Sequence, residues 1–246
     1  MAVQSFFPTL IYQAPLIALP EIQPETLPET RASQKRSEKK LPDRKIKLHA
    51  KPPALHRLTK KLCQDLTRES LIIRDIDSDG IEWSEKHYPR GFTSYGSWDT
   101  LHERFPSFTE LETYLDKHVA RFAKEQNWDL GGGRLKMVSC WVNIMPPGAV
   151  HSLHLHPLSV VSGTFYASIP KGSSPIKFED PRLDRFMAQP PRHPSAPKNQ
   201  QPFVVIEPKE GDVVLFESWI RHEVPPVSET VKSERISISF NYDWLD

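Results

Sequence analysis

The segment His151-Ser-Leu-His154-Leu-His156-Pro157 carries histidines two residues apart. In an extended strand, where successive side chains alternate faces, His154 and His156 fall on one side and both imidazoles can reach one small cation. His151 has the opposite parity and could join them only through a bend or bulge, so it reads as a neighbour of the pair or a bystander. An H-x-H pair alone is a weak signal. Downstream residues give it weight: 66 residues after His156, the strand pattern V-V-L-F-E-S-W leads to His222, and 13 residues later Arg235 opens the alternating run R-I-S-I-S-F-N.

In that run Arg235, Ser237, Ser239 and Asn241 share one face, while Ile236, Ile238 and Phe240 face a core. A buried-facing arginine needs an anionic partner, because an unpaired charge inside a barrel costs several kcal/mol. A dicarboxylate would serve, gripped by the planar guanidinium and seconded by the Ser237 hydroxyl. An ordinary salt bridge to Glu179, Asp180 or Glu217 is the structural alternative. With three histidines upstream, the diacid is the stronger reading.

The elements that must position these residues come from periodicity. Residues 137–145, M-V-S-C-W-V-N-I-M, alternate so that Ser139, Trp141 and Asn143 share one face and Val138, Cys140, Val142 and Ile144 the other. Residues 159–168 do the same, with Ser162, Thr164, Tyr166 and Ser168 on one side. Further strands are expected at 176–178, 203–206, 213–216, around His222 and at 235–241. Two helices precede them. Leu55, Leu58, Leu62 and Leu66 make one apolar stripe, and Leu111, Leu115, Val119 and Phe122 another, the second opened by a capping box of Ser107 and Glu110. His118, beside that stripe, reads as packing. About eight short strands with Pro- and Gly-containing turns predict a mainly β, α+β architecture: a two-sheet jelly roll with packing helices before it.

The 246 residues, 38% apolar and 26% charged, suit one globular domain with appendages. The expected division is an edge strand in 1–12, a flexible Pro- and Lys-rich linker or insertion over 13–51, and a single jelly-roll domain over 52–246. No apolar run approaches a membrane span, and the start MAVQSFFPTL lacks a secretory pattern, so a soluble cytoplasmic chain is expected. Cys63 and Cys140 read as buried, reduced and structural. The net charge of +1 hides a basic segment, 31–61, with twelve Lys or Arg against Glu38 and Asp43. Nucleic-acid binding through it is not favoured, since no aromatic residue interrupts the run to offer a stacking platform; a solvated linker running into a helix is preferred. The Pro-rich stretch 181–202 is too long for a hairpin turn and is expected to border the site and help select substrate. His193 within it reads as solvated.

The succession W-V-N (141–143), H-x-H-P (154–157), S-G-T-F-Y (162–166), F-E-D-P-R (178–182), P-x-x-G-D (208–212), L-F-x-S-W-x-x-H (215–222) and R-I-S-I-S-F-N (235–241) resembles the uncharacterised CHP02466-type family of 2-oxoglutarate/Fe(II) oxygenases. G-F-T-S-Y (91–95) and F-P-S-F-T-E-L-E (105–112) look like the same family. The resemblance implies a double-stranded β-helix, Fe(II), 2-oxoglutarate as cosubstrate, and hydroxylation of an unidentified small-molecule or protein substrate with release of succinate and CO2. Where the superfamily has H-x-D and a distal His, this chain has His156 in the carboxylate's place. Either His154, His156 and His222 hold the metal, the preferred set, or His154 and His222 do so with water filling the gap. Arg235, Ser237, Asn143, Tyr166 and Thr164 are the candidate cosubstrate contacts. Trp141, Trp219 and Asn241 are candidate substrate contacts, the tryptophans equally pocket wall or core. The rival readings are a three-histidine cupin-type metalloenzyme that does not use 2-oxoglutarate, and a non-catalytic metal-containing binding module.

Overall fold

A computed structural model describes residues 7–17 and 53–246, apart from the side chains at 53–55 and at 186. The stretch 18–52, which carries most of the expected linker and of the basic segment, lies outside the described residues. In chain order the elements are β1 (Ile11–Pro15), α1 (Pro53–Ile76), α2 (Ser78–His87), β2 (Phe92–Thr93), α3 (Pro106–Glu125), β3 (Arg134–Met145), β4 (His151–His154), β5 (Val161–Ser168), β6 (Ile176–Glu179), β7 (Phe203–Ile206), β8 (Asp212–Glu217), β9 (His222–Val224) and β10 (Arg235–Leu245). Two antiparallel sheets, ordered β1-β8-β5-β10-β3-β2 and β4-β9-β6-β7, form the jelly roll.

The long strands β3, β5 and β10 are buried on both faces, which is why they read as dense apolar and small-polar runs. One face packs against the helices through Cys140, Val142, Ile144, Phe165, Ile236, Ile238 and Phe240, with Leu66, Leu111, Leu115 and Phe122 opposite them. The other face looks into the sandwich, where Tyr166, Val214 and Phe216 meet Ile176 and Phe178. At Gly163 an added Cβ would stand 2.5 Å from the Phe240 ring and 2.7 Å from Leu215, so only glycine lets β5 lie this close.

Several local expectations are corrected. The register of β3 on β10 steps from Ser139 opposite Asn241 to Met137 opposite Tyr242, leaving Val138 as the extra residue of a bulge. Met137 consequently takes the core position expected for Val138. Three α-helices are present among the described residues, one more than the apolar periodicity shows. The additional one, α2, buries only Gly80 and Ser84 and is fixed by its cap, where Asp77 Oδ1 accepts from Gly80 N at 2.9 Å. Along α1, Leu62 and Leu66 are buried but Leu58 is 49% exposed. The capping box at Ser107 does not form: Pro106 occupies the first turn of α3, Phe105 is the cap residue, and Ser107 Oγ donates to Glu69 on α1 at 2.9 Å. His118 is fully buried as packing, bonded to Tyr12 Oη at 2.8 Å and to the Leu16 carbonyl at 2.9 Å.

Candidate metal and anion site

Strand pairing brings the histidines together. His154 on β4 and His222 on β9 are direct cross-strand partners, which sets their Cβ atoms about 5 Å apart. His156 lies two residues past the end of β4, not within the strand as its alternation suggested. Its main-chain N–H donates to the Ser218 carbonyl at 3.0 Å, holding it in line with its neighbour. Its Nε2 stands 3.4 Å from Nε2 of His222. One ligand-capable atom from each of His154, His156 and His222 falls within 4.8 Å of the other two.

Two of the three rings are oriented for coordination by a carbonyl. Nδ1 of His154 is 2.7 Å from the Ser152 carbonyl, and Nδ1 of His222 is 3.0 Å from the Ile220 carbonyl. A carbonyl only accepts, so the proton sits on Nδ1 and the Nε2 lone pair is left for a cation. Burial is the main reason that all three imidazoles stay neutral at ordinary pH. It depresses His156 to about 3, pulls His154 down, and holds His222 well below the usual value. His151 does not contribute to the trio. A break in the β4–β9 register between His151 and His154 brings its ring face to face with His154, centroids 4.1 Å apart, and edge-on to Tyr88 at 4.9 Å.

Across the cavity, the inner face of the large sheet presents polar rows set by register. Ser237 is level with Asn143 and Tyr166, and Ser239 with Trp141 and Thr164. At the deep end Arg235 is 2% exposed. Its Nη1 donates to Ser237 Oγ at 2.9 Å and contacts Met145 Sδ at 3.5 Å, its guanidinium lies 5.2 Å from the Tyr166 ring centroid, and its Nε has no partner. The three carboxylates that could have neutralised it do not reach it: Glu179 pairs with Arg221, Asp180 with Arg182 and Arg185, and Glu217 forms no ion pair among the described residues. Asn143 donates to Ser239 Oγ at 2.9 Å and leaves its Oδ1 unsatisfied; the hydroxyls of Tyr166 and Tyr88 are likewise buried without partners. A buried polar atom left unpaired costs about 1–3 kcal/mol. Three of them, on Arg235, Asn143 and Tyr88, line one space and mark a place where a polar ligand belongs.

That space is a narrow cavity of about 30 Å³ between the histidines and Arg235, walled also by Trp141, Asn143, Thr164, Ser237 and Ser239. Trp141 lies against His156, ring centroids 5.7 Å apart. Three expected contacts are off this wall, and Tyr166 is one of them, its ring packed with Val214 and Phe216. Trp219 is 47% exposed and off the cavity wall, because it sits in the turn between β8 and β9. Asn241 is one row too far along β10; its Oδ1 accepts from Ser162 Oγ at 2.8 Å, and Ser162 Oγ also bonds Ser218 Oγ at 2.8 Å. Nor does any of 181–202 line this cavity. Part of that stretch, with Phe7 to Thr9, borders a separate groove, and His193 is exposed. Tyr88, just past α2, was missed because nothing in its local sequence marks a cavity residue.

A family model described as "Putative 2OG-Fe(II) oxygenase" matches residues 139–241, a span that includes all three histidines and Arg235. Among solved structures the chain is similar to the non-heme alpha ketoglutarate dependent epimerase SnoN from nogalamycin biosynthesis, with a TM-score of 0.50 and 12% identity over 74% of this chain and 72% of that one. It is also similar to a Pseudomonas putida prolyl-4-hydroxylase, with a TM-score of 0.49 and 17% identity over 75% and 86% of the two chains. A third is an oxidoreductase of the 2OG-Fe(II) oxygenase family from Burkholderia pseudomallei, with a TM-score of 0.40 and 19% identity, of which this chain spans only 59%, matching over 56% of its own length. At 12% identity the likeness to SnoN is one of fold, and it agrees with the jelly roll. A search of curated proteins gave no match.

Proposed function

We propose that this chain is an Fe(II)- and 2-oxoglutarate-dependent oxygenase that hydroxylates its substrate with release of succinate and CO2. The observation that carries the reading is the pairing of three convergent, neutral imidazoles with a buried guanidinium that lacks an anionic partner. The match of a 2OG-Fe(II) oxygenase family model to the segment containing both supports it, and the ordered motifs in the sequence favour the CHP02466 type within that group.

The residues fit the missing groups. His154, His156 and His222 supply nitrogen donors suited to iron, and Arg235 with Ser237 offers a carboxylate the fork it needs. Iron(II) held there, with 2-oxoglutarate and dioxygen, would supply the oxidising power for hydroxylation. The protein's part is placement. Carbonyls of Ser152 and Ile220 hold two rings with Nε2 inward, Trp141 backs the third, and the orphaned Asn143 Oδ1 and Tyr88 hydroxyl stand ready to bond a polar ligand. Thr164 adds a hydroxyl to the same wall. Since the cavity is small, a five-carbon diacid enters only as wall side chains turn aside. No helix among the described residues is long and apolar enough to cross a membrane. Two free, buried cysteines support a reducing, cytoplasmic setting.

The experiment is anaerobic reconstitution with Fe(II) and 2-oxoglutarate, then visible absorption. A weak charge-transfer band in the wild type, lost in Arg235→Ala, is expected. Iron binding with no band, or an unchanged band in the variant, overturns the proposal. A cupin-type enzyme that ignores the diacid would turn over without stoichiometric succinate.

A further inference from the structure

The charges in the cavity do not balance. No aspartate or glutamate lines it; among the described residues every wall side chain is neutral except Arg235, which is positive.

With the proposed function in place, the metal brings two positive charges and Arg235 a third, the histidines bind as neutral ligands, and the diacid takes up two. One positive charge is left over in a space shielded from water. An isolated buried charge is too costly to leave uncompensated. We propose that the cavity takes one further monoanion beside the metal and the diacid, supplying the negative charge that a carboxylate in place of His156 would have carried, and that this anion is either a small inorganic ion or an anionic group carried by the substrate. His156 thereby sets the charge of what the site accepts. The inference rests on the proposed function and specifies its ligand chemistry.

The test uses cobalt(II) as the probe metal, which accepts the same nitrogen donors, and azide as the probe anion, at constant ionic strength. Cobalt is loaded first, 2-oxoglutarate second, and the visible bands are then monitored as azide is added, with retention of radiolabelled diacid measured alongside. A saturable change with the diacid retained is expected, with affinity at least tenfold weaker in His156→Asp, which restores a carboxylate at the metal. Asn143→Asp places a carboxylate on the wall with all three histidines intact and is expected to weaken azide in the same direction, so the result does not depend on one variant folding. Chloride and formate identify the source. Responses confined to azide and chloride indicate an inorganic ion, whereas a response to formate indicates a carboxylate of the kind a substrate would carry. No response to any of the three, expulsion of the diacid, or equal azide affinity in wild type and both variants overturns the inference. If cobalt or the diacid fails to bind at the outset, the underlying functional reading fails instead.

Discussion

Arg235→Met should make the empty protein more stable while abolishing its response to 2-oxoglutarate. In the unliganded fold the guanidinium is buried, its Nε is unsatisfied, and no carboxylate among the described residues neutralises it. Removing the orphaned donor relieves roughly 1–3 kcal/mol, and removing an unpaired buried charge adds to that. Against this stands the lost bond to Ser237, about 1 kcal/mol. Methionine fills similar space beside Met145 and Tyr166 without a charge. The net is a gain of about 1–2 kcal/mol, which for a chain of this size raises Tm by roughly 2–8 °C. Ligand binding should reverse the ranking: metal and diacid at 100 times Kd stabilise the wild type by about 2.7 kcal/mol and leave the variant's diacid response absent. Thermal denaturation of both proteins, with and without Mn(II) and 2-oxoglutarate, reads the crossover. An Arg235→Met protein more than 1 kcal/mol less stable than wild type when empty would show that the arginine is a structural element with a partner, and the reasoning would fall.

His156→Ala should lower metal affinity at least tenfold, because one of three converging donors is lost; metal content after dialysis at micromolar protein checks this, and stoichiometric retention would reduce the ligand set to His154 and His222. Stability of the metal-free protein should fall as pH drops from 7.5 to 5. Burial lowers the pKa of His102 and His118, as it does for the cavity imidazoles. The unfolded chain therefore takes up protons near pH 6.5 that the folded chain refuses, and stability is full above that value and lost below it at up to about 1.4 kcal/mol per pH unit for each such histidine. Chemical denaturation at the two pH values reads the slope, and a flat profile would contradict it. Gly163→Ala should destabilise by about 1–3 kcal/mol, since the new methyl meets Phe240 and Leu215; a loss under 0.5 kcal/mol in denaturant would mean that the side chains of the neighbouring strands β10 and β8 have slack there.

The inner sheet was legible in the sequence because alternation is a local property. Ser237, Asn143 and Thr164 could be assigned a common face from parity alone, and pairing then set them in rows. What parity could not show is where register breaks. The bulge at Val138 exchanges it with Met137, and the irregularity before His154 turns His151 onto a ring that alternation pointed it away from. Helix α2 was hidden for a different reason: its sequence SDGIEWSEKH has no apolar stripe, and its capping depends on Asp77 and a packed glycine. Ser107 shows the same limit in reverse, since a local capping pattern yielded to a hydrogen bond with Glu69 on another helix. Distances along strands decided Asn241 and Trp219, both on the right segments but one row or one turn away from the cavity.

X-ray absorption of the anaerobic Fe(II) protein, which counts the nitrogen neighbours of the metal directly, addresses the ligand trio itself. Three imidazole nitrogens per iron, falling to two in His156→Ala, is the predicted outcome. Iron bound by two imidazoles in the wild type, or a spectrum untouched by the substitution, would contradict it.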